Sequence, residues 1–202
     1  MTIDAKDLLN SILASIARID YVKPEDIPNI DLYMDQVTSF IDGQLSGSKR
    51  NEEDKLLTKT MINNYTKHEL LPPPIKKKYS KEHLLSLIFI YYLKNILSIN
   101  DIHTVLEPLT EKYFGNKDSH NFEDIYSEIF KMEKEESTKI LKEFSKKYHI
   151  AKNTFQDFPE EDQEMLQTFS YICLLSFDIY MKKQLIERII DDVIDKKTDK
   201  ED

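Results

Sequence analysis

Three consecutive prolines, Pro72-Pro73-Pro74, stand between a polar stretch of helical period and the most apolar run in the chain. None can donate an amide hydrogen bond, and each disfavours helix in the residue before it, so no regular element crosses the block. The helix before it, about Glu53 to Glu69, has to end there, and the chain must start afresh beyond it. Ser80 is the natural N-cap for the next helix, Lys81 to Leu97. The greasiest part of that helix, Leu84 to Leu93, is ten residues long, or about 15 Å against the ~30 Å of a bilayer core. It reads as a buried helix and not as a span. The only stretch with any strand character is Ile75 to Tyr79, a short wing.

The rest of the chain keeps the helical period. Only 3 of 202 residues are Gly and none is Trp, which argues for helices and against barrels, sandwiches and glycine-lined phosphate loops. Within Asp4–Ile19, the residues Leu8, Leu9, Ile12, Leu13 and Ile16 line one helical face. Pro24 and Pro28 break that helix. A second runs from about Asp31 to Gln44 and buries Leu32, Val37, Phe40 and Ile41, followed by a polar loop around Gly47. Ser98 or Asn100 opens a fifth helix, which Pro108 bends or divides. Two long stretches follow, Phe122–Tyr148 and Pro159–Asp195, separated by an irregular Ala151–Phe158. The tail Lys196–Asp202 is charged and frayed. The expected fold class is all-α. At 23.9 kDa the chain could bury roughly 70% of its unfolded surface without a disulfide or metal staple.

Charge excludes less than its average suggests. The formal net charge is −9. From Lys55 to Lys81, however, seven lysines face one acid, Glu69, a local +6 that leaves −15 for the other 175 residues. With a Debye length of ~8 Å, acids on a distant face barely oppose such a patch. The start, Met1-Thr2-Ile3-Asp4, carries acid where a secretory leader needs base, so the expectation is a cytoplasmic protein without a membrane segment.

Helical spacing over Leu57–Glu69 puts Leu57, Met61, Ile62 and Tyr65 on one face and Thr60, Asn63, Asn64 and Lys67 on the other. An outward face of Asn, Thr and Lys suits DNA, because amides pair with adenine edges and the others reach phosphate. The competing reading is an ordinary solvated face, although solvation alone favours Glu, Lys or Gln, which are better helix formers.

The order of motifs narrows this further. Tyr65 and Leu70-Leu71-Pro72-Pro73 are followed by Lys76-Lys77-Lys78-Tyr79, then the Leu84-Leu87-Ile90 ridge, then Ser98-Ile99-Asn100-Asp101-Ile102. This order resembles the winged helix-turn-helix of MerR-type regulators. With the run DIPNIDLYMDQVTSFI before it and LTKTMINNY within it, the stretch from about Ile27 to Leu106 is closer still to the domain-of-unknown-function 1836 family. The resemblance implies a MerR-like winged helix-turn-helix over 27–116, preceded by an amino-terminal helix (1–26) and followed by a helical bundle (117–198) for dimerisation or effector sensing. It makes helix 32–45 the supporting helix and 55–69 the recognition helix. Lys59, Thr60, Asn63, Asn64, Tyr65 and Lys67 then face double-stranded DNA, and Lys76, Lys77, Lys78 and Tyr79 form a basic wing. Thr60 and Asn63 stand where such families typically carry arginine. The wing is short and lacks its glycine, and Glu69 replaces the glycine that normally ends the helix.

Other chemistry finds no constellation. His68, His83, His103, His120 and His149 are scattered, with no metal-ligand spacing among them. The acidic pairs Glu135-Glu136, Glu160-Glu161 and Asp191-Asp192 read as solvated helix faces. Cys173, the single cysteine, is expected to behave as a small buried hydrophobe between Tyr171, Ile172, Leu174 and Leu175. No nucleophile elbow, P-loop or dinucleotide fingerprint occurs, so neither enzyme activity nor a metal or other cofactor is expected.

Tyr171–Met181 is apolar almost all round, and such a helix must be covered on two sides. Helix 122–148 supplies one cover through Phe122, Ile125, Ile129, Phe130, Ile140, Leu141 and Phe144. A partner subunit around Ile172, Leu175 and Ile179, or an apolar effector, supplies the other, unless the bundle is self-contained. The reading is a homodimeric, non-enzymatic DNA-binding transcriptional regulator. Its rival is a protein–protein interaction module built on a winged helix that no longer binds DNA.

Overall fold

The computed structural model describes residues 11–14, 16, 22–116 and 120–198, with side chains as far as Ile194. The helix expected over Asp4–Ile19 lies largely outside these residues. The described chain is mostly helical: β1 (Leu32–Tyr33), α1 (Met34–Gln44), α2 (Lys59–Lys67), β2 (Lys78–Tyr79), α3 (Lys81–Leu93), α4 (Ile99–Tyr113), α5 (Phe122–Lys152) and α6 (Glu160–Thr198), with short 3-10 turns at Pro24–Asp26 and Ser46–Ser48. It divides into two compact units, the first reaching Lys134 and the second beginning at Glu135, inside α5.

Local chemistry sets most helix starts. The Thr58 hydroxyl accepts the Met61 N–H at 3.2 Å, which begins α2 later than the apolar pattern alone suggests. Upstream of it, Leu56 and Leu57 are buried in loop conformation. Lys94 Nζ donates to the Leu56 carbonyl at 2.7 Å, and the Asp54 carboxylate accepts the Arg50 and Asn51 amides. Ser80 caps α3, with its N–H donated to His83 Nδ1 at 3.0 Å. Ser98 and Asp101 form a reciprocal capping box on α4. Pro108 lies inside α4 and does not divide it. Leu32 is buried as expected but from a strand, paired antiparallel with Tyr79, and α1 starts only at Met34.

The core of the first unit is α3. Every residue from His83 to Tyr91 is buried, and α3 is covered by α1, by β2 and by the start of α5. Phe122 and Tyr126 of α5 are fully buried beside Phe89. The Tyr126 hydroxyl donates to the Val22 carbonyl at 2.6 Å, tying residues 104 positions apart.

The second unit is a hairpin of α5 and α6. Tyr171 stacks edge-on to Tyr148 and donates to the Phe144 carbonyl at 3.1 Å, and Lys147 bridges Glu143 and Asp178. Ala151 and Gln167 are buried, whereas Ile140, expected in the covering layer, is 41% exposed. Cys173 is exposed, not buried: α5 covers only one side of α6, and Cys173 is turned away from it. Of the tail expected to fray, Lys196–Asp202, the helix α6 includes residues up to Thr198, and the rest lies outside the described residues.

Candidate nucleic-acid interface

The outward face of α2 is built as its spacing requires. Ile62 and Tyr65 are buried against the core, while Lys59, Thr60, Asn63, Asn64 and Lys67 are exposed. Tyr65 is only 6% exposed, and burial pushes its phenol pKa up. It therefore does not face a duplex, because its ring belongs to the apolar ridge of the same helix. Lys59 forms an ion pair with Asp35 at the start of α1, so one of the expected phosphate contacts already has a carboxylate beside it.

The helix ends in a backbone conformation that normally calls for glycine. Glu69 has φ 59°. The Leu70 N–H bonds to the Tyr65 carbonyl at 2.9 Å and the Glu69 N–H to the Thr66 carbonyl at 3.2 Å. This is a Schellman cap closed on a non-glycine residue. Leu70 and Leu71 then plug into the core, at 2% and 0% exposed, and deliver the proline block.

Beyond the prolines the chain turns back at once. Ile75 and Lys78 exchange two hydrogen bonds, Ile75 N–H to Lys78 O at 3.1 Å and Lys78 N–H to Ile75 O at 2.9 Å. The two residues between them, Lys76 and Lys77, both have positive φ, 49° and 65°, as a type I′ turn demands. Asn-Gly is the usual occupant of such a turn. A lysine in this left-handed region costs roughly 1–2 kcal/mol. The strained pair is exposed at the tip, beside Ile75 at 74% exposure. The returning strand alternates: Lys78 is half-buried with its ammonium 5.3 Å from the Tyr33 ring centroid, and Tyr79 is buried. Tyr79 packs edge-on to the His83 ring at 5.4 Å and cannot reach a groove, since strand pairing with Leu32 points it inward.

The seven expected residues left at the surface are Lys59, paired with Asp35, and Thr60, Asn63, Asn64, Lys67, Lys76 and Lys77. Neighbours that spacing did not single out join them. A cleft of about 740 Å³ lies between α2 and the start of α4, and Asn64 lines it together with His68, Ile99, Asn100 and His103. The signal for it was weak, since four of those five lie on two helices whose packing no local pattern reports. A second cleft, about 700 Å³, flanks the start of α2 and mixes Asp42, Glu52, Glu53 and Asp54 with Lys49, Lys55 and Lys59.

His83 is buried behind the turn, between the rings of Tyr79 and Phe114. Its Nδ1 accepts the Ser80 amide, which puts the proton of the neutral ring on Nε2. Burial holds its pKa below the ordinary histidine value. Among the described residues no three His, Cys, Asp or Glu side chains come together as a metal site, and no described helix is long and apolar enough to cross a membrane.

No curated protein and no solved structure matches the chain. Residues 22–129 match the family described as Domain of unknown function (DUF1836), a stretch that begins at the buried Val22 and ends just past Tyr126, the residue hydrogen-bonded to it. With more than half of its length in that match, the chain belongs to the DUF1836 family.

Proposed function

We propose that the chain is a non-enzymatic DNA-binding regulator of transcription. In this reading α1 supports α2 in a MerR-like winged helix-turn-helix, and α2 lies in the major groove. Asn63 and Asn64 read base edges, Thr60 and Lys67 contact phosphate, and the Ile75–Lys78 turn is the wing. Such a regulator works in the cytoplasm.

One observation carries most weight. Lys76 and Lys77 occupy two left-handed positions where Asn-Gly would remove the strain. Strain of this kind persists where surrounding structure enforces it, and it clusters at functional sites. What the two lysines add over Asn-Gly is positive charge at an exposed tip, which is what a phosphate backbone attracts.

The test starts from selection of bound sequences out of a random duplex pool. Lys77→Ala should weaken specific and random duplex alike and lower the logarithmic salt slope by about 1. Asn63→Ala should instead cost about 1–3 kcal/mol at the selected site and leave nonspecific binding nearly intact. Failure to enrich any sequence, with no retention on heparin, sinks the reading. The interaction module would then move ahead. It is favoured by the Lys59–Asp35 pair and by the four acids flanking the start of α2.

A further inference from the structure

Met61, Asn64 and Tyr65 of α2 and His68 at its C-cap recur at steps of three and four, so they share one stripe of that helix. Ile99, Asn100 and His103 lie together on the first turns of α4. The two groups meet in the cleft of about 740 Å³, wholly inside the first unit. Sites for small organic ligands are typically about 300–1,000 Å³.

The lining contrasts with the surface around it. The chain is 32% charged, and the cleft at the start of α2 is lined by four acids and three lysines. Here no Asp, Glu, Lys or Arg contributes. Met61, Tyr65 and Ile99 supply the apolar part, with Tyr65 buried and Met61 half-buried. Asn64, Asn100, His68 and His103 supply the polar part. The side chains of these four have no hydrogen-bond partner among the described residues, so their donors and acceptors are open to whatever enters.

That chemistry selects a ligand. An Asn amide offers donors and an acceptor side by side, and a neutral imidazole offers one of each. A phosphate, carboxylate or ammonium group would give up its hydration with no opposite charge to meet it. A purely aliphatic ligand would desolvate two amides and two imidazoles without pairing them. The complement is a flat, uncharged ring with donors and acceptors along one edge, which is the description of a nucleobase. Asn pairs with an adenine edge through both ends of its amide, and unstacked bases rest on His and Tyr rings. We propose that the cleft between α2 and α4 binds a nucleobase, held at its edge by Asn64 and Asn100 and on its face by the imidazoles. The same chemistry arrives either as a free nucleoside or as an unpaired base of a single strand.

The experiment is calorimetric titration of the full chain with adenosine, guanosine, cytidine and thymidine in turn. At least one is expected to bind with a sub-millimolar dissociation constant. Asn100→Ala removes an edge partner and should weaken that binding about tenfold, and Ile99→Trp fills the cleft and should abolish it. Both positions are exposed, so each variant should keep its helical circular dichroism; should Ile99→Trp fail to fold, Asn100→Ala decides alone. A single strand of the same base, titrated at high salt to screen phosphate contacts, separates the sources. Tighter binding than the nucleoside, with the same loss in Asn100→Ala, assigns the base to a strand, and equal or weaker binding assigns it to the free nucleoside. The variants at Ile99 and Asn100 touch no residue of the proposed duplex contact, so the two readings can fail separately. No binding of any of the four at millimolar concentration, or binding that Asn100→Ala leaves unchanged, would overturn the inference. So would Zn²⁺ alone binding in a manner lost in His103→Ala while no nucleoside binds, which would hand the cleft to a metal.

Discussion

Helix α3 and the middle of α6 are written in nearly the same alphabet and end in opposite surroundings. From Leu84 to Tyr91 α3 is buried on all sides, and even Ser86 is at 0% exposure. Between Tyr171 and Met181, α6 is as apolar almost all round, yet Ile172, Phe177, Ile179 and Tyr180 are each more than half exposed. The first unit surrounds α3 with α1, β2, Phe114 and the aromatic start of α5, among the described residues. Within the second unit α6 has one neighbour, the rest of α5. An all-round apolar helix tells that cover is needed; it does not tell which chain brings it.

The sharpest way to break this comparison is to delete matched side-chain volume in both helices. Ile88→Ala removes a side chain at 0% exposure, and should cost about 2–5 kcal/mol in urea unfolding. Ile172→Ala, at 55% exposure, should stay within about 0.5 kcal/mol when the chain is dilute enough to be single. If the two costs were equal under dilution, the α6 face would be covered within one chain, and the contrast would vanish.

A smaller effect separates stability from binding within the first unit. Lys76→Asn combined with Lys77→Gly gives the turn its preferred residues and should raise stability by about 1–2 kcal/mol. On the DNA reading the same double change should lower the logarithmic salt slope by about 2. Greater stability with an unchanged slope would leave the turn as strain without a function.

The smallest expected effect tests how dry the α3 side is. The folded pKa of His83 is depressed by burial, so near its ordinary value of ~6.5 the unfolded chain takes up a proton that the folded chain refuses. Stability should therefore fall as pH drops below ~6.5. His83→Gln retains an acceptor for the Ser80 amide in the capping box, and this part of the pH dependence should flatten. Identical profiles between pH 7 and 5 would show that water reaches the imidazole. Exposed α6 carries no comparable group, and Cys173→Ala should leave the same profile unchanged.

Much of the first unit was legible because its signals are local. Ser80 and Ser98 cap where a hydroxyl precedes an apolar run. The alternation on α2 sorts Ile62 and Tyr65 inward and Thr60, Asn63, Asn64 and Lys67 outward from period alone. Where period and resemblance disagreed, as at Tyr65, period was right. Tyr79 was misassigned because its direction depends on pairing with Leu32, 47 positions earlier. The start of α2 was placed too early for a related reason: Leu56 and Leu57 look helical by composition, yet they are buried in a loop that Lys94 pins from α3's end. Of the two outcomes expected at Pro108, bending or dividing the helix, the structure excludes division, since one missing amide bond did not outweigh the turns on either side of it.

What the sequence determined alone is the set of choices whose energies are settled within a few residues. It ended α2 before the proline block, made α3 a short buried helix and not a span, and kept the lysines of the turn together at one point of the chain. The tertiary structure decided everything that depends on partners far along the chain. It turned Tyr79 inward, joined Tyr126 to Val22, drew Asn64 to the cleft beside His103, and left Cys173 and Phe177 facing outward. The reason is that a helix's period is enforced by its own hydrogen bonds, whereas apolar burial is non-directional and is satisfied by whatever surface the rest of the fold supplies.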